Sequence, residues 1–174
     1  MKQFPTVISG VERTCTLRDF EPGDTGAVLD IFNASVRNDF AAFPERELDE
    51  SVVMRLTSQA LDYGFLVAEI AGEAAGFCLL RPMYPFTNMR LVGEVTYFIR
   101  PQFRRCGIGG TMLNELTRRA GEKGMKSLLA QISSQNKVSI AFHRKNGFRR
   151  SGRIKEAGTK FGKAFDVVFM QKCI

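Results

Sequence analysis

A strand, a basic loop containing glycines and a helix follow one another over residues 94–120. Residues 94–99 are rich in the β-branched and aromatic types that favour strands, and Pro101 ends strand pairing because it lacks a backbone N–H. Apolar residues then recur at helical spacing from Met112 to Ala120. Backbone N–H groups that open a helix bind phosphate, and Arg104 and Arg105 add charged donors. This stretch therefore predicts a site for a polyphosphorylated small molecule.

Three phosphate-loop patterns compete for this stretch. A Walker A loop needs Lys-Ser/Thr after its last glycine, but Thr-Met follows Gly110. A dinucleotide fingerprint needs a third Gly or Ala where Met112 stands. The third pattern, Arg/Gln-x-x-Gly-x-Gly/Ala after a strand, is filled by Arg104, Gly107 and Gly109. An ordinary basic turn before a helix stays open as the alternative, since short motifs also occur without function.

The third pattern resembles the coenzyme A loop of the GNAT superfamily of N-acetyltransferases. Residues 134–148 are similar to the element that follows the fifth strand of that fold, with an Asn, a short helix and then Gly-Phe. Residues 156–166 resemble a segment of the phosphinothricin acetyltransferase-like branch. That branch also carries His at the place of His143 and Glu at the place of Glu94. The resemblance runs from about Leu17 to the end of the chain.

The resemblance implies one mixed α/β domain over residues 14–174. In the GNAT fold a central, mostly antiparallel sheet has splayed middle strands and is flanked by helices. Residues 1–13 are predicted to be a tail or an extra edge segment. The pattern of the chain agrees with this order. We predict a first helix capped by Asp24, a second from Asp49 or Ser51 and a short one after Asn136. A hairpin is predicted over 65–80, and strands over 127–132 and 167–170.

The resemblance also implies the activity. The chain is expected to move an acetyl group from acetyl-CoA to the primary amine of a small molecule by direct attack in a ternary complex. Main-chain amides of the loop would wrap the pyrophosphate, and the backbone of the preceding strand would pair with the pantetheine arm, with the N–H of Ile99 facing the thioester oxygen. The predicted cofactor-binding residues are Tyr97, Phe98, Ile99, Arg104, Arg105, Cys106, Gly107, Ile108, Gly109, Gly110, Asn136 and Ser139.

Two side chains are the candidate catalytic residues. Glu94, at the start of an apolar strand, is the candidate general base, acting directly or through water, and a solvated strand-end carboxylate is the alternative. His143 replaces the tyrosine that many GNAT enzymes use as a general acid toward the leaving thiolate, and a structural histidine is the alternative. Asn136 has two interpretations that are compatible: a hydrogen bond to pantetheine and a cap on the short helix.

The acceptor amine is predicted to be an amino acid or an analogue of the phosphinothricin or methionine sulfone type. Tyr84 falls where relatives of this branch often carry Lys or Arg. By the resemblance, Phe86 and Arg90 are expected to keep suitable contacts, and Arg81 is the candidate to compensate for the missing charge. Residues 40–47 are the candidate substrate loop. A polyamine, bound by the acidic residues 45–50, and a protein amino terminus are the alternative acceptors. A sensor that binds acetyl-CoA without turnover is a further alternative.

Composition restricts the remaining classes. The chain has 174 residues, 44% of them hydrophobic, which suits one domain. No apolar run approaches the roughly 20 residues of a membrane span, and residues 1–6 lack the apolar core of a signal peptide, so we expect a cytoplasmic protein without membrane contact.

Charge and the His and Cys content indicate which ligands and cross-links to expect. The net charge of +7 suits a phosphate-bearing cofactor, and nucleic-acid binding is the alternative, although the basic residues are dispersed and no RNP-type motif occurs. One histidine and four widely spaced cysteines predict no metal site and no disulfide framework. Homodimers are common among the relatives, and the residues alone leave the oligomeric state open.

Overall fold

Eight strands and four α-helices make up the described residues, 1–84 and 86–174, of the computed structural model. In chain order they are β1 (Lys2–Ile8), β2 (Val11–Asp19), α1 (Thr25–Asn38), α2 (Glu50–Ala60), β3 (Phe65–Ile70), β4 (Glu73–Pro82), β5 (Val92–Ile99), α3 (Ile108–Glu122), β6 (Ser127–Ser133), α4 (Lys137–Lys145), β7 (Arg149–Lys160) and β8 (Lys163–Cys173). The strands form one sheet in the order β1-β2-β3-β4-β5-β6-β8-β7. Every neighbouring pair is antiparallel except β5 and β6, which confirms the predicted mixed α/β, mostly antiparallel fold.

The middle of the sheet opens between β5 and β6. These parallel strands pair only from Val92 to Glu94 on β5, opposite Ser127 to Leu129 on β6. On its other side β5 stays paired with β4 as far as Ile99. The predicted splay of the middle strands is thereby confirmed, and it begins directly after Glu94.

Helices cover both faces of the sheet. The apolar sides of α1 and α2 pack on one face, where Val28 and Val53 meet Phe77 and Phe98. The apolar side of α3 packs on the other face, where Met112 and its helical neighbours are fully buried against strand residues. Because successive side chains of a strand point to opposite faces, β5 contributes side chains to the apolar cores on both faces of the sheet.

The amino-terminal residues form an edge strand. β1 pairs antiparallel with β2 along its whole length, and its side chains alternate, with Phe4, Thr6 and Ile8 turned toward the core. Burial follows this alternation, since Thr6 is only 3% exposed whereas Val7 is 58% exposed. The hairpin of β1 and β2 therefore brings residues 2–8 against the body of the protein.

The two amino-terminal helices begin in different ways. Asp49 caps α2 as predicted, because its carboxylate accepts a hydrogen bond from Ser51 N–H at 3.0 Å. Asp24 precedes α1 but does not cap it with its side chain, which corrects the sequence-based expectation. Both oxygens of Asp24 instead accept hydrogen bonds from Arg18, each at 2.8 Å. The ion pair with the neighbouring strand thus replaces the local cap.

Two further features concern the described parts of the chain only. No helix there has the length and apolar character that a membrane crossing needs. Nor do three or more His, Cys, Asp or Glu side chains come together in a group that suits a metal ion.

Candidate active site

The loop between β5 and α3 presents a row of main-chain donors. Arg105 has φ of +63° and Gly107 has φ of +82°, so the chain turns through two left-handed residues before the helix begins. Within the part of the chain that the structure describes, no protein acceptor receives the amide hydrogens of residues 105–110, and Thr111 N–H is the first to bond, to the Gly107 carbonyl at 3.2 Å. Free amides at a helix amino terminus form an anion-binding concavity.

The two arginines of this loop lie in different environments. The Nε of Arg104 donates to the Ile99 carbonyl at 3.0 Å, and its Nη2 forms an ion pair with Asp39 at 3.1 Å. Arg104 therefore ties the loop to the end of β5 and to the carboxyl end of α1. Arg105 is exposed. A direct bond of either guanidinium to an anion stays a prediction.

The free edge of β5 continues the row of donors. Arg100 N–H donates to the Ala75 carbonyl on β4 at 2.9 Å. Because N–H directions alternate along a strand, the N–H groups of Ile99 and Tyr97 point to the opposite side, toward β6. Pairing with β6 ends at Glu94, so both amides face the opening. An extended polar chain bound there would lie between the loop and Glu94.

Glu94 is buried and held by two partners at the point where the strands separate. The residue is 8% exposed. Its Oε2 accepts a hydrogen bond from Arg81 Nη2 at 3.0 Å, and its Oε1 accepts one from Gln131 Nε2 at 3.1 Å. Arg81 also donates to Gln59 on α2 at 2.7 Å. Glu94 is thus not a freely solvated carboxylate, yet each oxygen keeps acceptor capacity for another proton donor.

His143 lies on the other side of β5 and has a defined tautomer. Its Nδ1 is 2.7 Å from the Ser139 carbonyl, which only accepts, so Nδ1 carries the hydrogen. The Tyr97 hydroxyl then donates to Nε2. His143 is 2% exposed, and burial lowers its pKa below the usual value. Burial also raises the pKa of Tyr97 well above its usual value, so both groups are neutral near pH 7.

The structure does not bring Glu94 and His143 together. Glu94 and Tyr97 project from opposite faces of β5, because they stand an odd number of residues apart on one strand. Glu94 faces the side of α2, through Arg81 and Gln59, whereas Tyr97 packs on the side of α3 and α4 with His143. The two candidate catalytic residues therefore flank the opening from opposite faces of the sheet.

Asn136 and Ser139 form the first turn of α4. The Asn136 side chain accepts the Ser139 N–H at 3.1 Å, so Asn136 caps this helix. The Ser139 hydroxyl lies 3.3 Å from Nδ1 of His143. A contact between either side chain and a cofactor stays a prediction, compatible with the cap because the Asn136 amide nitrogen has two hydrogens to donate.

The predicted acceptor-binding side chains are exposed. Tyr84 is 41% exposed and Phe86 61% exposed, and both belong to the connection between β4 and β5. Arg90 is exposed too, and it takes part in no ion pair among the described residues. Pro85 lies outside those residues. Arg81, near the end of β4 and before this connection, is the side chain that bonds to Glu94.

Lys160 was missed in the sequence, and it anchors the candidate substrate loop. It is 1% exposed, and its Nζ donates to the carbonyls of Asp39 and Ala42, each at 2.7 Å, and of Ser35 at 3.3 Å. Burial lowers the pKa of this ammonium group. The ring of Phe40 packs edge-on against Phe161, next to Lys160. Sequence reasoning missed Lys160 because no local pattern distinguishes a buried lysine near a strand end from an exposed one.

Comparisons with known proteins identify the family of this chain. A model of the Acetyltransferase (GNAT) family matches residues 28–148. The L-methionine sulfoximine/L-methionine sulfone acetyltransferase of Pseudomonas aeruginosa is 33% identical over 161 residues, which are 91% of this chain and 94% of the relative.

Two solved structures are similar to this chain over most of its length. The crystal structure of ribosomal-protein-alanine N-acetyltransferase from Brucella melitensis has a TM-score of 0.83 at 35% identity, with 91% of this chain and 99% of the other covered. The crystal structure of a phosphinothricin acetyltransferase from Sinorhizobium meliloti, in complex with acetyl-CoA, has a TM-score of 0.85 at 30% identity, with 92% of this chain and 88% of the other covered.

Proposed function

Because the chain belongs to the Acetyltransferase (GNAT) family and is an acyl-CoA-dependent N-acetyltransferase, we propose that it acetylates the primary amine of a small amino acid or amino-acid analogue, with acetyl-CoA as the donor. The observation that carries the proposal is the continuity of two features. The loop that carries the free amides of residues 105–110 is tied to the free strand edge at Tyr97 and Ile99, because Arg104 Nε donates to the Ile99 carbonyl. A diphosphate followed by an amide-containing arm has the acceptors that this row of donors requires.

Free main-chain donors support a cofactor with a diphosphate and a polar arm at this place. We assign the diphosphate to the amides of residues 105–110, and the pantetheine arm to the edge of β5. Acetyl-CoA supplies a thioester, whose carbonyl oxygen becomes more negative when an amine attacks. The N–H of Ile99 is the donor that we assign to this oxygen, since an N–H aimed at developing charge lowers the barrier.

Glu94 is the proposed general base. Arg81 and Gln131 fix both of its oxygens at the opening, and their remaining acceptor capacity allows Glu94 to take a proton from the amine, directly or through water. On the opposite face, His143 and Tyr97 hold a proton at the Tyr97 hydroxyl. We assign this pair to the side of the departing thiol. The amine then enters from the face of Glu94 and the thiol leaves toward the face of Tyr97, so neither group blocks the other.

The proposed acceptor rests on the names of the relatives and on the guanidinium group of Arg90. The Pseudomonas aeruginosa relative is named for methionine sulfoximine and methionine sulfone, and the Sinorhizobium meliloti structure for phosphinothricin. Arg90 forms no ion pair among the described residues and stands close in the chain to Glu94, so it is available for an acidic group of such a substrate. Tyr84 and Phe86 supply apolar surface beside it.

A protein amino terminus is the second candidate acceptor. The observation that favours it is the Brucella melitensis structure, which is 35% identical and is named for a ribosomal-protein alanine. An exposed connection between β4 and β5 would leave room for a polypeptide beside Glu94.

Thiol release from acetyl-CoA across a panel of amines tests the proposal. The panel contains methionine sulfone, methionine sulfoximine, phosphinothricin, spermidine and a peptide that begins with alanine, with N-acetylmethionine sulfone as the blank that lacks a free amine. We expect the amino-acid analogues to give the highest kcat/KM. Fastest turnover of the peptide would replace the proposed acceptor by the second candidate. Absence of turnover with every amine, despite binding of coenzyme A, would contradict the proposed reaction.

A further inference from the structure

One polar side chain interrupts the apolar row of β1. Phe4 and Ile8 point inward and pack against the core, as expected of the buried side of an edge strand. Thr6 stands between them and is 3% exposed. A hydroxyl buried among apolar groups costs free energy unless it is hydrogen-bonded, so the Thr6 hydroxyl requires a partner inside the protein.

The partner of Thr6 belongs to the phosphate-binding loop. Its Oγ1 donates to the Cys106 carbonyl at 2.5 Å, across 100 positions of the chain. Within one trans peptide unit the C=O and the N–H point in opposite directions. Holding the Cys106 carbonyl toward β1 therefore directs the N–H of Gly107, which belongs to the same peptide unit, away from β1 and toward the open side of the loop.

The loop needs such a restraint. Arg105 adopts a left-handed conformation that costs a residue with a Cβ free energy, and neighbouring contacts must maintain it. Arg104 holds the loop from one side through Ile99 and Asp39. Thr6 holds it from the other side, so the loop is fixed at both of its flanks before any ligand binds.

We propose that Thr6 is a positioning residue for the diphosphate: through the Cys106 carbonyl, it keeps the amide hydrogens of the loop aimed at the anion. The proposal rests on the function proposed above, because it requires that the loop bind the diphosphate of coenzyme A. It gives the amino-terminal hairpin a role in cofactor binding.

The experiment compares three variants of the full chain with the wild type. Thr6→Val removes the hydroxyl and keeps the shape, Thr6→Ser keeps the hydroxyl, and Thr14→Val is the matched control on the exposed side of β2. We measure the Kd for coenzyme A by calorimetry, the thermal midpoint, and kcat/KM with acetyl-CoA and with S-acetylpantetheine, which lacks the diphosphate. The last two substrates separate positioning of the diphosphate from a general loss of structure.

We expect Thr6→Val to raise the Kd for coenzyme A about three- to tenfold, which corresponds to one lost buried hydrogen bond. Thr6→Ser and Thr14→Val should bind like the wild type, and kcat/KM for S-acetylpantetheine should not change. An unchanged Kd in Thr6→Val, or an equal loss with both substrates, would overturn the proposal for Thr6 alone. A wild-type protein that does not bind coenzyme A would overturn the proposed function and this role together.

Discussion

Arg81 and Glu94 lie directly opposite each other on neighbouring antiparallel strands, and the guanidinium of Arg81 donates to the carboxylate of Glu94 at 3.0 Å. Gln131, on the strand at the other side, donates to the second oxygen. Two strands thus orient one carboxylate at the place where the sheet opens. A base held in this way loses little conformational freedom when an amine arrives.

The first prediction concerns Glu94. Glu94→Gln keeps the size of the side chain but removes the proton acceptor, so kcat should fall about 10²- to 10⁴-fold. The Kd for coenzyme A should stay within about twofold of the wild type, because the hydrogen bonds of the loop do not involve this residue. Steady-state kinetics and calorimetry measure the two quantities. Glu12→Gln, at an exposed position of β2, is the control.

A different result would change the role of Glu94. If Glu94→Gln both binds coenzyme A more weakly and has a lower thermal midpoint, the carboxylate serves mainly as the partner of Arg81 and stabilises the fold.

The second prediction is a dependence of stability on pH through His143. Its pKa in the folded protein lies below the value of about 6.5 expected in the unfolded chain. Below pH 6.5 the unfolded chain therefore takes up a proton that the folded protein does not, and the free energy of unfolding should fall on acidification, by up to about 1.4 kcal/mol per pH unit. Urea unfolding between pH 7 and pH 5.5 measures this slope.

His143→Gln provides the comparison for that slope. His143 is the only histidine in the chain, so the variant has no imidazole to titrate between pH 5.5 and pH 7. We expect a shallower slope in the variant. Parallel curves for the two proteins would show that His143 titrates alike in the folded and unfolded states.

The third prediction concerns Lys160. Lys160→Met removes the donor shared by the carbonyls of Ser35, Asp39 and Ala42, and leaves these acceptors in a largely dry environment. We expect a loss of about 1–3 kcal/mol in the free energy of unfolding. KM for the acceptor should rise more than KM for acetyl-CoA, since the carbonyls border the candidate substrate loop. Lys155→Met, on the exposed part of the same strand, should leave both quantities unchanged.

The fourth prediction concerns Gly107. Its φ of +82° is a conformation that residues with a Cβ rarely adopt, so Gly107→Ala should strain the loop by about 1 kcal/mol and weaken coenzyme A binding. Gly121→Ala is the control: this helical position has open space around an added Cβ, and the change should slightly raise stability. Equal affinities of the two variants for coenzyme A would contradict the role of the turn.

The elements that could be predicted are those whose signals are local. The helix after the loop was expected from the spacing of Met112, Leu113, Leu116 and Ala120, and all four are fully buried in α3. Proline also acts locally, and Pro101 marked the carboxyl end of β5 correctly, whereas β5 begins at Val92, two residues before the predicted start. The opening of the sheet was expected from the resemblance, because no local pattern of the two strands encodes how far they pair.

The contacts that could not be predicted join residues far apart in the chain. Tyr97 meets His143, and Gln131 meets Glu94, because the sheet order places their strands and helices together. Polar residue types do not reveal whether a fold will bury them. Asp24 is the opposite case: it has the residue type of a cap, but its carboxylate accepts hydrogen bonds from Arg18 and none from the amides of α1.

The short parallel pairing of β5 and β6 also makes occupancy of the opening measurable without turnover. Amide hydrogens of Tyr97 and Ile99 face the opening without a strand partner, whereas those of Phe98 and Arg100 face β4. Deuterium should replace the first two hydrogens quickly, and an arm laid along the strand would slow this exchange while leaving their neighbours unaffected. Fast exchange at Tyr97 and Ile99 beside slow exchange at Phe98 and Arg100 is thus the signature of the free edge, and protection of all four amides is the signature of a chain bound along it.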